Sequence, residues 1–134
     1  MIKWTICDLL APPDVIKKYV RKNNEPGGCP YNFDLNKIDK VQEYKKRVTQ
    51  EINNYKHWGT THNVSESGYV PGSDSVSFWC RKHCPDIAIK KIFSDNPNVP
   101  IRFYWFNEGD DREHYYIRGI DGKIRVKHGE GALR

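Results

Sequence analysis

The run "HYYIRGIDGKIRVKHG" at residues 114–129 constrains the fold more than any other stretch. Two segments of strand-favouring residues flank Asp121-Gly122, a dipeptide that suits a tight hairpin because both loop positions need positive φ. With those two residues as the loop, Ile120 faces Lys123, Arg118 faces Arg125 and Tyr116 faces Lys127. The alternate pairs are Gly119 with Ile124, Ile117 with Val126, and Tyr115 with His128. One face is then apolar and the other basic and aromatic, the split that a half-buried hairpin requires. The preceding strand, "IRFYWF", adds Arg102, Tyr104 and Phe106 on one side.

Upstream, "KWTICDLL" alternates Trp4, Ile6 and Asp8 against Thr5, Cys7 and Leu9, a strand pattern. "APPDVIKKYVRKNN" reads as a helix entered through Pro12 and Pro13, with Asp14 in its first turn and a stripe of Val15, Ile16, Tyr19 and Val20. "YNFDLNKID" reads as a short extended piece in which Phe33, Leu35 and Lys37 alternate with polar residues. Val41, Tyr44, Val48, Ile52 and Tyr55 step at helical spacing and predict a helix packed on one side. Glu43, Lys45, Lys46, Arg47 and Glu51 form its solvated surface. "VSESGYVPGSDS" is a loop or irregular hairpin, "SVSFWC" a strand, and "CPDIAIKKIFSDNP" a helix entered through Pro85 and Asp86. Strands mixed with helices without strict alternation indicate an α+β fold. The chain has 134 residues, so one domain over 1–134 is expected, with roughly two-thirds of the unfolded surface buried.

No run approaches the ~20 apolar residues that span a bilayer, and the N-terminus lacks the small-residue cleavage site of a secretory leader. A cytoplasmic protein with no membrane partner is expected, its four cysteines remaining thiols. Net charge is +5 and pI about 9.0, which points to an acidic partner. "CRKHC" offers Cys80, His83 and Cys84 as metal ligands, but a tetrahedral site needs a fourth. Cys7, Cys29, His57 and His62 stand at no recognised spacing from it, so neither a metal nor a cofactor is expected. Cys84 beside His83 makes a weak nucleophile pair, since strand neighbours point to opposite faces. "EGDDRE" clusters carboxylates without the spacing of a calcium loop. With no phosphate-cradling loop, nucleophile elbow or HExxH, the chain does not read as an enzyme.

"HWGTTHN" ends the long helix. A structural corner accounts for it: Trp58 is a large side chain beside Gly59, which can take the positive φ of a C-terminal cap, and Thr60 and Asn63 are of types that favour bonds to local backbone. "FDLNKI", this heptapeptide, "VSFWCRKHCPDIAIKKIFSDNP" and a closing hairpin together resemble the Api-ninety-two-like ferredoxin-fold family of tailed phages and plasmids. The match runs from about residue 31 to the C-terminus; Thr61-His62 stand where the family carries Lys-Trp, and the usual proline-rich stretch after "NKI" is missing. The resemblance implies a ferredoxin-like antiparallel sheet with helices on one face and a C-terminal hairpin, without an iron–sulfur cluster.

It also implies a mobile-element accessory protein acting in the host cytoplasm. The function expected is occlusion of an acidic protein surface or nucleoprotein complex, in its most specific form an anti-CRISPR-like inhibitor of host defence. The residues expected to bind are Arg102, Tyr104, Tyr116, Arg118, Lys123, Arg125 and Lys127, with charge reversal at Arg118 and Arg125 abolishing binding in an intact fold. RNA or single-stranded DNA binding is the alternative, since aromatics and cations on a sheet suit stacked bases. A metal-dependent enzyme using the His, Cys and acidic residues is the third.

Overall fold

The computed structural model describes residues 3–109 and 113–127. Its main sheet has six strands: β1 (Trp4–Leu10), β4 (Glu66–Gly68), β5 (Ser75–Arg81), β6 (Ile101–Asn107), β7 (His114–Arg118) and β8 (Ile124–Lys127). Their spatial order is β4-β5-β1-β6-β7-β8, and every pair is antiparallel. The helices are α1 (Pro13–Ile16), α2 (Arg47–Trp58) and α3 (Asp86–Asp95); a two-stranded sheet joins β2 (Val20–Lys22) to β3 (Tyr31–Phe33). The fold is α+β. Leaving aside the inserted α1, β2 and β3, the chain runs β1-α2-β4-β5-α3-β6, with β1 and β5 central among those four strands. No described helix is long and apolar enough to cross a membrane.

One sheet face supplies the core. Cys7 and Leu9 of β1, Val76, Phe78 and Cys80 of β5, and Ile101, Phe103 and Trp105 of β6 are buried in it, as alternation dictates. Val15 and Ile16 of α1, Trp58 of α2 and the Ala88, Ile89, Ile92 and Phe93 stripe of α3 close over them in one cluster. Phe33 stacks on Phe78 with ring centroids 4.3 Å apart. Burial also raises the phenol pKa of Tyr19, Tyr69 and Tyr116, the last to about 12, where nearby Cys84 and Asp86 add to the effect. A raised phenol pKa stabilises the fold fully below the unfolded value near 10 and loses that contribution as pH climbs to about 12. Alkaline pH should therefore destabilise the protein across that window, the urea midpoint falling as phenolate absorbance rises.

Three sequence expectations need correction. The first helix is four residues long, followed by a 3-10 turn at Lys17–Tyr19, because Val20–Lys22 is captured as a strand by Tyr31–Phe33. The extended reading of 31–39 holds only for β3; Asp34 then accepts the Asn36 N–H at 3.0 Å and starts a 3-10 turn at Leu35–Lys37. The long helix begins at Arg47, and its apolar seam does not pack inward: Val48 is 64% exposed and Ile52 59%, while the helix buries Asn54 and Trp58. Side-chain bonds hold this face instead. Gln50 Nε2 donates to Asn54 Oδ1 at 2.8 Å, and Asn54 Nδ2 to the Thr61 carbonyl at 2.9 Å.

Candidate nucleic-acid interface

Alternation places a second set of side chains on the sheet face away from the helices. The strand register arranges them in rows. Trp4 stands beside Arg81, and the next row is Phe106, Ile6, Trp79 and Glu66. Then come Lys127, Tyr115, Tyr104, Asp8 and Ser77, and last Arg125, Ile117, Arg102, Leu10 and Ser75. Successive rows are about 7 Å apart, two strand residues. Trp4, Ile6, Leu10, Trp79, Phe106 and Ile117 are half-buried, and none belongs to the helix-covered cluster. Large apolar side chains left this accessible on a sheet face are informative in a way that scattered single ones are not.

The face has two poles. At one, Trp4 and Trp79 lie 6.1 Å apart with their planes tilted by 54°, and Phe106 completes the group across Ile6. At the other, Arg102 and Arg125 flank Ile117, with Lys127 one row in. Arg102 and Arg125 are exposed, and Arg125 is held by Asp121 at 3.1 Å. Between the poles Tyr104 and Tyr115 pack edge to face at 6.2 Å, and Ser77 Oγ donates to Asp8 Oδ1. Aromatic faces stack bases, guanidinium and ammonium groups meet phosphates, and an Asp–Ser pair offers acceptors and donors to base edges.

The residues expected to bind a partner divide between the two sides. Arg102, Tyr104, Arg125 and Lys127 share the open face, where Tyr104 is nevertheless buried beside Tyr115. Lys123 lies in the turn, its N–H donating to Asp121 Oδ1 at 3.1 Å. Tyr116 and Arg118 are on the helix side and buried. The hairpin register is the reason. Arg118 pairs with Ile124, Ile117 with Arg125, Tyr116 with Val126 and Tyr115 with Lys127, one residue away from a two-residue loop. The turn is wider, with the Gly122 N–H donating to the Gly119 carbonyl at 3.0 Å. A slip of one residue exchanges faces. Here it puts Ile124 and Val126 on the helix side and sends Arg125 and Lys127 to the open one. Asp110, Asp111 and His128, also invoked from the sequence, lie outside the described residues.

Arg118 is a structural residue. It is 7% exposed, and its guanidinium donates to the carbonyls of Val99 at 3.0 Å, Phe93 at 2.7 Å and Asn96. Phe93 is in the last turn of α3, where carbonyls lack helical partners and a cation complements the dipole. Charge reversal there would bury a carboxylate against three carbonyls and break the fold, so only Arg125 of that pair suits a surface test.

The "HWGTTHN" segment forms a corner with distant partners. Gly59 has φ 87° and donates its N–H to the Tyr55 carbonyl, capping α2. A Cβ there would come within 3.1 Å of the Asp86 nitrogen, so the N-terminus of α3 packs directly on the glycine. Thr60 Oγ1 donates to the Arg81 carbonyl at 3.1 Å. Asn63 accepts the Leu35 N–H at 2.9 Å and donates to Asp34 Oδ1 at 2.7 Å, while Trp58 Nε1 donates to the Asp39 carbonyl at 2.8 Å. The "FDLNKI" and "HWGTTHN" motifs are thus two halves of one clasp; the bonds expected from Thr60 and Asn63 to local backbone run chiefly to other elements.

Cys80 and Cys84 do not converge with His83 on a metal site: among the described residues no three His, Cys, Asp or Glu side chains do so. Burial pushes the Cys7 and Cys84 thiols up, away from thiolate chemistry. No protein-family model, curated protein or solved structure matches the chain. The half-buried platform residues Trp4, Trp79 and Ile6 were not among those expected to bind. Alternation in "KWTICDLL" and "SVSFWC" assigns Trp4 and Trp79 a face each, but only the β5-β1-β6 order brings them together.

Proposed function

We propose that this chain is a non-enzymatic binding protein whose open sheet face holds single-stranded nucleic acid. The observation that carries the reading is the two-pole face: Trp4, Trp79 and Phe106 accessible for stacking, and Arg102, Arg125 and Lys127 along the far margin. The Asp8 carboxylate between them repels phosphate, so the bases lie over the centre and the backbone tracks the basic edge. A duplex fits poorly because its bases are already stacked on one another.

The strand order supports the finer, ferredoxin-like reading of the fold. A β-α-β-β-α-β path with two central strands and both helices on one side is that of a split β-α-β repeat, with β7 and β8 appended at the β6 edge. The expectation of a phage or plasmid accessory protein that occludes a host nucleoprotein complex, anti-CRISPR-like in its specific form, is carried by the motif resemblance alone. It is compatible with this site, since masking exposed RNA or DNA is one route to occlusion.

The test is a fluorescence-anisotropy titration with a labelled single-stranded oligonucleotide at several salt concentrations. Three phosphates neutralised by Arg102, Arg125 and Lys127 give a log–log salt slope of about −2 for a single strand. Arg102→Gln and Arg125→Gln should each flatten that slope by about 0.7. A duplex bound as tightly as the single strand, or a slope unaffected by these substitutions, contradicts the proposal.

A further inference from the structure

The exposed seam of α2 is independent of the sheet face. Val48, Ile52 and Tyr55 lie along one side of the helix at 64%, 59% and 46% exposure, with Tyr44 at 39% just before it. Val48, Ile52 and Tyr55 line a groove of about 420 Å³, bordered by Arg47 and Lys56. It shares Arg47, Glu51 and Thr61 with a second, more polar cavity of about 330 Å³, which His62, Arg81, Lys82 and His83 complete. An apolar strip therefore runs into a cationic pocket.

The charge of that pocket selects its occupant. Arg47, Lys56, Arg81 and Lys82 line the two cavities against one carboxylate, Glu51, which Arg47 already engages at 3.2 Å. Arg81 Nη1 lies 3.2 Å from His62 Nε2. Burial first, then the positive charge of Arg81, lowers the His62 pKa. A second copy of the chain would bring like-charged rims together, since a two-fold interface opposes a surface to itself. Val48 and Ile52 offer nothing for bases to stack on, and the Tyr55 ring is already packed edge to face with His83, centroids 5.4 Å apart. A protein segment that pairs apolar side chains with carboxylates satisfies both halves of the surface.

We propose that the α2 seam and the adjoining cationic pocket dock an acidic, apolar-anchored segment of a partner protein. Its apolar side chains rest on Val48, Ile52 and Tyr55, and its carboxylates reach Arg81 and Lys82. This inference does not rest on the nucleic-acid reading of the sheet.

The probe is a random-peptide display library selected on the intact chain. Enriched peptides should combine apolar residues with Asp or Glu. Their binding should weaken roughly tenfold or more on Ile52→Ser and on Lys82→Gln, as expected of anchor positions, and persist on Trp79→Ala. Both substituted side chains are at the surface, and circular dichroism verifies that the variants fold. No enrichment, enrichment of neutral or basic peptides, or peptides indifferent to Ile52→Ser overturns the proposal. So does sedimentation showing a dimer that Ile52→Ser dissociates, which would assign the seam to self-association.

Discussion

Arg118→Met should destabilise the protein by about 3 kcal/mol, because buried carbonyls lose their charged donor at about 1–3 kcal/mol for each group left unsatisfied. Methionine keeps the apolar stem against Phe93, whose ring lies 5.4 Å from the guanidinium carbon. It removes every donor to the carbonyls of Phe93, Asn96 and Val99. Those acceptors are in or just after the end of α3, where no helical N–H can replace the guanidinium. Arg118→Lys should recover only part of the loss, because a single ammonium cannot reproduce the planar fork. Urea unfolding reads both: the midpoint falls while the slope m stays unchanged. A loss below about 0.5 kcal/mol, typical of surface substitutions, would return Arg118 to the surface role expected from the sequence.

Trp58→Ala should cost about 3–5 kcal/mol, the usual range for emptying a large aromatic site. Trp58 is 2% exposed and is the one apolar residue that α2 buries; its other buried side chain is Asn54. The indole also donates to the Asp39 carbonyl at 2.8 Å, tying the helix end to the "FDLNKID" segment. Trp58→Phe should restore most of the packing yet leave that carbonyl unpaired, at about 1–2 kcal/mol. Hydrogen exchange separates this effect from that of Arg118. Protection should fall first along α2 in Trp58→Ala, and at the end of α3 and along β7 in Arg118→Met. Uniform loss across the sheet in both variants would contradict the anchoring roles given to these residues.

What was legible in the sequence was local. Alternation marked β1, strand-favouring runs marked β5 and β6, and the Pro85-Asp86 entry marked α3; each of these elements lies against the one core. Gly59 could be assigned to the cap because a helical run that ends in glycine requires positive φ. The misreadings arose where a distant partner decided. Val20 left a helical stripe because β3 offered it a ladder. The seam at Val48 and Ile52 has the period of a core helix, but Trp58 and the Asn54 bonds dock α2 on another side. At the hairpin, Asp121-Gly122 suggested a two-residue loop, whereas the observed register pairs Arg118 with Ile124 and Tyr116 with Val126, and buried Arg118 is tied on that side to the carbonyls of Phe93 and Val99.

The candidate site was half legible for the same reason. Arg102 and Tyr104 of β6 and Arg125 and Lys127 of β8 lie on either side of β7 in strands close in sequence, and charge with aromaticity singled them out. The aromatic pole joins Trp4 to Trp79 across a strand pair formed by segments far apart in the chain. Nothing in either segment alone discloses that neighbour.

The central claim is that this aromatic pole stacks bases, and it is tested most directly by titrating one single-stranded oligonucleotide against the wild type and Trp4→Ala/Trp79→Ala. Both rings are half-buried on the open face, so their removal leaves the helix-covered core in place. Stacking is worth about 1–3 kcal/mol per base, so affinity should fall at least tenfold while the salt slope stays near that of the wild type. Equal affinities for the two proteins would contradict the account.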